Sequence, residues 1–183
     1  MRELDKRTTV RRRVFLRGAA TAPAAATALA AGMTIAPDAA WAGDLKAIKP
    51  ATMTVLARAA RDIFPHDRFP DRYYIAAVLP YDDTAAGDAA LRKLLEEGAA
   101  TLDAEARKRF GRDYIRVASE EQRVEILKSM ETSAFFQKLR GDLIVSLYNQ
   151  KEVWAKLGYE GSSYEHGGYI NRGFNDIDWL PEA

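Results

Sequence analysis

Residue types that commonly do chemistry are scarce in this sequence. The chain has 183 residues, with two histidines and no cysteine. His66 lies in the stretch FPHDRFPD and His166 lies near the C-terminal end, and neither belongs to an HExxH or HxH pattern that would indicate a metal site. We interpret both as loop histidines that are hydrogen-bonded at the surface. A non-covalent bis-histidine haem, which would use both rings, is the less favoured alternative.

Carboxylates are the other candidate chemical groups. Three adjacent acidic pairs occur at positions 82–83, 96–97 and 120–121. Neighbouring helical residues point about 100° apart, so we expect these pairs to be solvated helix surface. A further pair, Asp176 and Asp178, lies among aromatic residues near the C-terminus, which are surroundings that a glycosidase-like pair would need. A free-standing enzyme or ligand-binding protein that uses Asp176, Asp178 and His166 is therefore kept as an alternative, although no general-acid partner is visible.

The N-terminal segment resembles a twin-arginine export signal. Its core is an arginine pair followed by three apolar residues and a further arginine; the signal residues are Arg12, Arg13, Phe15 and Leu16. An uncharged, alanine-rich run follows, and AWA then offers a small-x-small cleavage site before Gly43. We predict that residues 1–42 are cleaved and that the protein is periplasmic. A transmembrane anchor is the alternative, but alanine is weakly apolar and the run contains prolines.

The composition excludes several classes of protein. Without residues 1–42, acidic residues slightly outnumber basic ones. Nucleic-acid binding, which calls for a basic face, is therefore not expected. The absence of cysteine excludes disulfides, thiolate catalysis, cysteine-ligated iron–sulfur clusters and covalent haem attachment. No GxGxxG, P-loop or GxSxG pattern is present, and we predict no catalytic residue and no bound cofactor in this chain.

The apolar periodicity from Pro50 onward predicts helices. The predicted segments are 51–64, Tyr73–Leu79, Ala86–Phe110, a helix capped by Ser119 and Gln122, Ala134–Tyr148 and KEVWAKL, which ends at Gly158. The predicted buried edge of the helix after Ser119 consists of Val124, Leu127 and Met130. Together these segments predict an all-α domain over residues 43–157, a compact bundle of four to five main helices.

The C-terminal segment 158–183 has an unusual aromatic spacing. Aromatic residues recur at every fifth position: Tyr159, Tyr164, Tyr169, Phe174 and Trp179. This period matches neither a helix nor a strand, and five glycines are interspersed. We predict an irregular tail whose aromatic residues, with His166 and Arg172, dock on a partner, Arg172 binding a partner carboxylate. The alternative is that the tail folds back over the chain's own helices.

Three stretches of the chain carry a family resemblance. They are LARAARDIFPHD, LDAEARKRFGRDYIRVASEEQRVEILKSME and FFQKLRGDLIVSLYNQKEVWAKLGYEG. Over residues 54–149 the sequence resembles the small subunit (subunit 3) of gluconate 2-dehydrogenase and related membrane-associated flavin dehydrogenases. Where those chains end in a short segment around GW…GFPG, this one has the longer aromatic tail.

The resemblance implies a protein without catalytic residues of its own. Its partner would be a large dehydrogenase subunit of the glucose-methanol-choline type that binds FAD, in some complexes with a cytochrome subunit that carries haem c. Twin-arginine export carries folded proteins, and this chain shows no cofactor site that would require that route. The expected function is therefore to escort the flavin subunit through the twin-arginine translocase and to stabilise it.

Overall fold

The computed structural model of the chain describes residues 40–172 and residue 174. The signal residues Arg12, Arg13, Phe15 and Leu16 lie outside this part of the chain, as do Asp176, Asp178 and Trp179. The expectations that involve these seven residues stay predictions. Of the tail, the structure describes residues 158–172 and residue 174.

The described residues form an all-α fold. The helices are α1 (Pro50–Ile63), α2 (Asp71–Val78), α3 (Pro80–Gly87), α4 (Ala89–Phe110), α5 (Glu120–Ser129), α6 (Ala134–Ser146) and α7 (Lys151–Leu157). Short 3-10 turns lie at Ala40–Gly43, Tyr114–Arg116 and Ser163–His166. Within the described residues there is no strand. Four helices, α1, α4, α5 and α6, have ten or more residues, which confirms the predicted number of main helices.

Side-chain caps fix where the long helices begin. The hydroxyl of Ser119 accepts from the backbone N–H of Gln122 at 3.2 Å, as the sequence predicts. Ser133 does the same for Phe136 at the start of α6. Asp88 accepts from two backbone N–H groups at the start of α4. These bonds satisfy donors that the first turn of a helix leaves without an internal partner.

The region before α4 differs from the prediction. Residues 80–87, expected to be largely loop, form α3, and α4 begins at Ala89 and not at Ala86. Pro80 occupies the first turn of α3, where its missing N–H costs nothing and its fixed φ favours helix. Asp88 adopts an extended backbone (φ −124°, ψ 96°) and separates the two helices.

Helix α1 is the centre of the bundle. Ten of its fourteen residues are buried, and it packs against α2, α4, α5 and α6. Helices α4 and α6 also meet closely: a Cβ atom on Gly98 would lie 2.0 Å from Cδ2 of Phe135. Gly98 therefore leaves the space that the Phe135 ring occupies, and the crossing of α4 and α6 depends on it.

A buried ion pair joins α1 to α5. Nε and Nη2 of Arg123 donate to the two carboxylate oxygens of Asp62 at 2.7 and 2.9 Å, and Nη1 donates to the carbonyl oxygen of Val117 at 2.6 Å. The hydroxyl of Tyr114 donates to Asp62 at 2.8 Å. Burial and the Asp62 carboxylate raise the pKa of Tyr114, so the phenol keeps the proton that it donates. Arg58 lies one turn before Asp62, with its Nε 3.9 Å from the carboxylate.

The position of Arg123 corrects the predicted orientation of α5. The buried residues of that helix are Arg123, Ile126 and Leu127, whereas Val124 and Met130 are only half-buried. The prediction assumed that only apolar residues face the core. It was correct for Leu127, but the buried face of α5 is rotated from the predicted one toward Arg123 and Ile126. Asp62 is the reason for the difference, because a buried carboxylate needs a charged, multiply donating partner.

A second buried carboxylate holds the start of the domain. Asp82 of α3 accepts backbone N–H bonds from Lys46, Ala47 and Ile48 at 2.7, 2.9 and 2.7 Å. Burial opposes ionisation of this carboxylate, but the three donors outweigh it, and the pKa of Asp82 lies below its ordinary value. Ile48 is buried next to these bonds. We call this arrangement the Asp82 clamp.

The Asp82 clamp shows that the expectation for the acidic pairs is partly wrong. Asp82 is buried, and Glu96 accepts from the Lys49 backbone at 3.0 Å and from the Thr52 hydroxyl at 2.9 Å. One member of each of these two pairs therefore fixes the segment that leads into α1. Glu120 and Glu121 are both exposed at the start of α5, as expected.

Replacing Asp62 by alanine is expected to destabilise the protein by about 3–5 kcal/mol, because Arg123 is left buried without its carboxylate. Urea unfolding of the purified protein measures the change. The matched control is Glu97→Ala, which breaks an ion pair to Lys93 whose side chains are both about 70% exposed. That control should change the free energy of unfolding by less than about 0.5 kcal/mol. Equal effects of the two variants would contradict the structural role given to Asp62.

Candidate interaction surface

The tail begins on an aromatic junction at the end of α7. Nε1 of Trp154 donates to the carbonyl oxygen of Tyr148 at 2.6 Å, which ties α7 to the end of α6. The ring of Tyr159 meets the Trp154 ring edge to face, with centroids 5.3 Å apart. The backbone N–H of Tyr159 also donates to the carbonyl of Trp154 at 2.9 Å. The first aromatic residue of the tail is therefore attached to the helical domain.

Glycine allows the next part of the tail to turn. Gly161 has φ of 105°, a conformation that residues with a side chain rarely adopt. A Cβ atom there would lie 3.7 Å from the Trp154 ring, so the backbone passes close to that indole. The turn Ser163–His166 follows, and the N–H of Gly168 donates to the carbonyl of Ser163 at 2.7 Å. The tail is irregular, as predicted, and internally hydrogen-bonded.

Two ion pairs hold the tail together. Arg172 pairs with Glu160 across twelve residues. Glu165 pairs with Lys151 of α7 at 3.5 Å. Arg172 was expected to bind a carboxylate of a partner, whereas in this structure its guanidinium binds a carboxylate of its own chain. The docking role of Arg172 stays a prediction, and the pair with Glu160 is a contact within the chain that the sequence did not predict.

The apolar side chains beyond this junction face solvent. We call the following four residues the tail surface: Tyr164, Tyr169, Ile170 and Phe174, which are 89%, 70%, 81% and 77% exposed. Tyr159 is 54% exposed despite its contact with Trp154. The alternative in which the tail covers the chain's own helices does not describe these residues. Soluble proteins rarely leave several large apolar side chains together in water unless they bind something.

His166 is the second histidine and lies within the tail. Its ring is exposed, and its Nε2 lies 3.4 Å from the carbonyl oxygen of Glu160. The two carboxylates proposed to act with it, Asp176 and Asp178, lie outside the described residues. Nowhere in the described ranges do three or more histidine, cysteine, aspartate or glutamate side chains form a group that could hold a metal. Nor does any described helix have the length and apolar character needed to cross a membrane.

His66 lies in an aromatic cluster that the sequence analysis did not predict. Its Nε2 is 2.7 Å from the hydroxyl of Tyr148, and its ring packs on Phe69 with centroids 4.3 Å apart. Burial and the nearby charge of Arg61 lower the pKa of His66. A neutral ring whose Nε2 accepts the Tyr148 proton fits this geometry. The histidine is hydrogen-bonded as expected, but it is half-buried.

An open cavity of about 320 Å³ lies between the His66 loop and the end of α7. It is lined by the loop residues Pro65, His66, Asp67, Arg68 and Phe69 and by Lys156 and Leu157 of α7. Leu157 directly precedes the tail and is 49% exposed. The cavity therefore lies beside the point where the tail leaves the bundle, and its lining carries charges of both signs.

Comparison of the chain with protein-family models, with curated proteins and with solved structures found no match. The resemblance to the dehydrogenase small subunit stays a prediction that rests on the three sequence stretches quoted above. The geometry of the tail is the structural observation that bears on function.

Lowering the pH from about 7 to about 5 is expected to destabilise the protein through His66. A histidine whose folded pKa is lowered contributes stability above its unfolded pKa, near 6.5, and this contribution is lost as the pH falls through the folded pKa. Thermal unfolding at both pH values should show a smaller loss of stability for His66→Gln than for the unmodified chain. The control His166→Gln, which changes an exposed ring, should leave the loss unchanged. An identical pH dependence in His66→Gln and the unmodified chain would rule out this role.

Proposed function

We propose that this chain is the non-catalytic small subunit of a periplasmic FAD-dependent alcohol or sugar dehydrogenase. In this proposal it escorts the large flavin subunit through twin-arginine export and stabilises it afterwards. The observation that carries the proposal is the tail surface, which presents four large apolar side chains to solvent on a tail that is held to the bundle.

The tail surface is large enough to hold a partner. If three of its side chains each buried about 100 Å², about 25 cal/mol per Å² would give about 7 kcal/mol before the cost of association. Tyrosine and phenylalanine bury this area with few rotatable bonds to immobilise, which favours them at interfaces. Glycine turns and the hydrogen bonds around Ser163–His166 give residues 158–172 a defined backbone, which lowers the entropy cost of binding.

The sequence supports the escort role. Twin-arginine export accepts proteins that are already folded, and this chain shows no cofactor site of its own that would call for that route. A larger subunit that takes up FAD in the cytoplasm and lacks a signal of its own would explain why this chain carries a twin-arginine signal. A cytochrome subunit with haem c is a further expected member of the complex.

The start of the domain is compatible with export of the folded chain together with a flavin subunit. The predicted cleavage site precedes Gly43, and the Asp82 clamp fixes the backbone from Lys46 to Ile48. Only a short segment therefore separates the predicted signal from the folded domain. The signal and the folded body can remain joined during export without the domain unfolding.

Replacing Tyr164 and Tyr169 by alanine is expected to lower the amount of flavoprotein that co-purifies with the tagged chain by at least tenfold. Loss of two buried aromatic side chains from an interface removes several kcal/mol of binding free energy. Flavin absorbance per mole of tagged chain measures the effect. The chain's own melting temperature should not change, since both side chains are exposed. Ile144→Ala, which removes a 51%-exposed side chain of α6, is the matched control. Undiminished flavin in the tyrosine variant would refute docking through the tail.

Replacing Arg12 and Arg13 by lysine is expected to leave the flavoprotein in the cytoplasm. The large subunit has no signal in this proposal, so it depends on the arginine pair of its escort. Fractionation followed by dehydrogenase activity in each fraction measures the effect. Arg2→Lys with Arg7→Lys, outside the pair, is the control with the same charge. A normal periplasmic yield in the Arg12 and Arg13 variant would show that the chain is not the escort.

A further inference from the structure

We propose that the partner face that receives the tail surface is basic, with arginine or lysine side chains placed against the tyrosine rings of the tail surface. This inference rests on the proposed function and specifies the chemistry of the partner. It follows from two separate observations, the charge of the tail segment and the exposure of its aromatic rings.

The negative charge of the chain is concentrated in the tail. Residues 158–183 contain one arginine and five acidic residues: Glu160, Glu165, Asp176, Asp178 and Glu182. The last three lie outside the described residues, but their charges belong to the segment wherever they are placed. With each carboxylate ionised, as is usual near pH 7, and histidine neutral, the segment has a formal net charge of −4.

The helical domain does not balance this charge. Residues 43–157 hold nineteen lysine and arginine residues and eighteen aspartate and glutamate residues, so the bundle is nearly neutral. Arg172, the one arginine of the tail, is already paired with Glu160, and Glu165 pairs with Lys151 of α7. A basic face of a partner is therefore attracted to the tail end of the molecule, whereas an acidic face is repelled from it.

The exposed tyrosine rings of the tail surface can bind the same cations. Tyr164 and Tyr169 are 89% and 70% exposed, which leaves their ring faces open to a partner. The negative face of an aromatic ring attracts arginine and lysine within about 6 Å of its centroid. The bundle already contains such a contact, since Cζ of Arg61 lies 5.4 Å from the ring centroid of Tyr74. A partner arginine placed on a tail tyrosine would meet both an aromatic ring and the negative charge of the segment.

A protein face fits this charge better than a lipid surface does. Membrane surfaces that carry anionic lipids attract segments rich in lysine and arginine. A segment with five acidic residues and one arginine is instead repelled by such lipids. Nucleic acid, which carries a negative charge on each phosphate, is disfavoured for the same reason. A basic protein face is therefore the occupant, and binding to lipid vesicles becomes an outcome of the test.

The dependence of binding on salt tests the inference. The probe is the FAD-containing subunit that co-purifies with the tagged chain, separated from it and titrated back at about 0.05 M and about 0.5 M salt. Because the screening length falls about threefold over this range, the dissociation constant is expected to rise by about tenfold or more. A rise of less than about threefold would show that charge does not hold the two faces together.

Replacement of the two tyrosines separates ring chemistry from apolar area. Tyr164→Phe with Tyr169→Phe keeps both ring faces, and binding is expected to stay within about twofold of the unmodified chain. Tyr164→Leu with Tyr169→Leu keeps apolar bulk but removes the rings, and it is expected to weaken binding by about fivefold or more. Both variants change exposed side chains, so the melting temperature of the chain should not differ between them.

Replacement of tail carboxylates tests the charge directly. Asp176→Asn with Asp178→Asn removes two negative charges from the segment and is expected to weaken binding at low salt by about three- to tenfold. The salt dependence should also become smaller, because fewer charges contribute to the attraction. The matched control is Glu97→Gln with Glu131→Gln, which removes the same charge from exposed positions of the bundle. That control should change binding by less than about twofold.

The outcomes separate this inference from the proposed function. Binding that salt changes by less than about threefold, or that the leucine variant retains in full, overturns the inference and leaves the small-subunit function standing. Binding that Arg172→Gln weakens by about tenfold, while Asp176→Asn with Asp178→Asn leaves it undiminished, would place partner carboxylates at this face and also overturn the inference. Failure of the flavoprotein to bind at either salt concentration overturns the proposed function and the inference with it. Sedimentation of the chain with phosphatidylglycerol vesicles, abolished by Tyr164→Ala with Tyr169→Ala, would assign the tail surface to a membrane and overturn the inference.

Discussion

The ion pair between Asp62 and Arg123 is the constraint on which the bundle depends. Two opposite charges at the centre of an α-helical protein lose their hydration, and only a complete set of hydrogen bonds offsets that loss. Asp62 receives three such bonds, from Arg123 and Tyr114, and Arg123 donates in addition to a backbone carbonyl oxygen. This set exists only when α1, α5 and the turn Tyr114–Arg116 lie in one mutual arrangement. The packing of these three elements is therefore fixed by the directions of these hydrogen bonds as well as by the burial of apolar surface.

Carboxylates have partners within the chain both in the bundle and in the described part of the tail. Large apolar side chains are buried in the bundle but exposed in the tail. In the domain, Asp62 and Asp82 are satisfied by groups distant in the sequence, and the apolar side chains are enclosed. In the tail, Glu160 and Glu165 also have partners within the chain, yet the apolar side chains remain in water. In the described part of the tail, these two glutamates are thus paired within the chain, whereas the large apolar side chains are left exposed. That combination is typical of a preorganised interface.

The sequence predicted what depends on local pattern and missed what depends on distant partners. Helix content, the cap at Ser119 and the end of α4 at Phe110, before a glycine, follow from spacing and residue type, and the structure confirms them. The prediction of buried positions uses the spacing of apolar residues alone, so it could not place Arg123 inside the bundle. The partner that allows the burial of Arg123 is Asp62, which is 61 positions away in the sequence. The His66–Tyr148 bond spans 82 positions and leaves no signal in spacing. The pairing of Arg172 with Glu160 likewise leaves no signal in spacing.

The junction at Trp154 gives the molecule a built-in optical reporter. The chain has three tryptophans, at positions 41, 154 and 179. If residues 1–42 are cleaved as predicted, Trp154 and Trp179 are the tryptophans that remain. The indole of Trp154 is hydrogen-bonded to the Tyr148 carbonyl and packed against Tyr159. Emission from Trp154 therefore reports on the junction where the tail begins, without any attached dye.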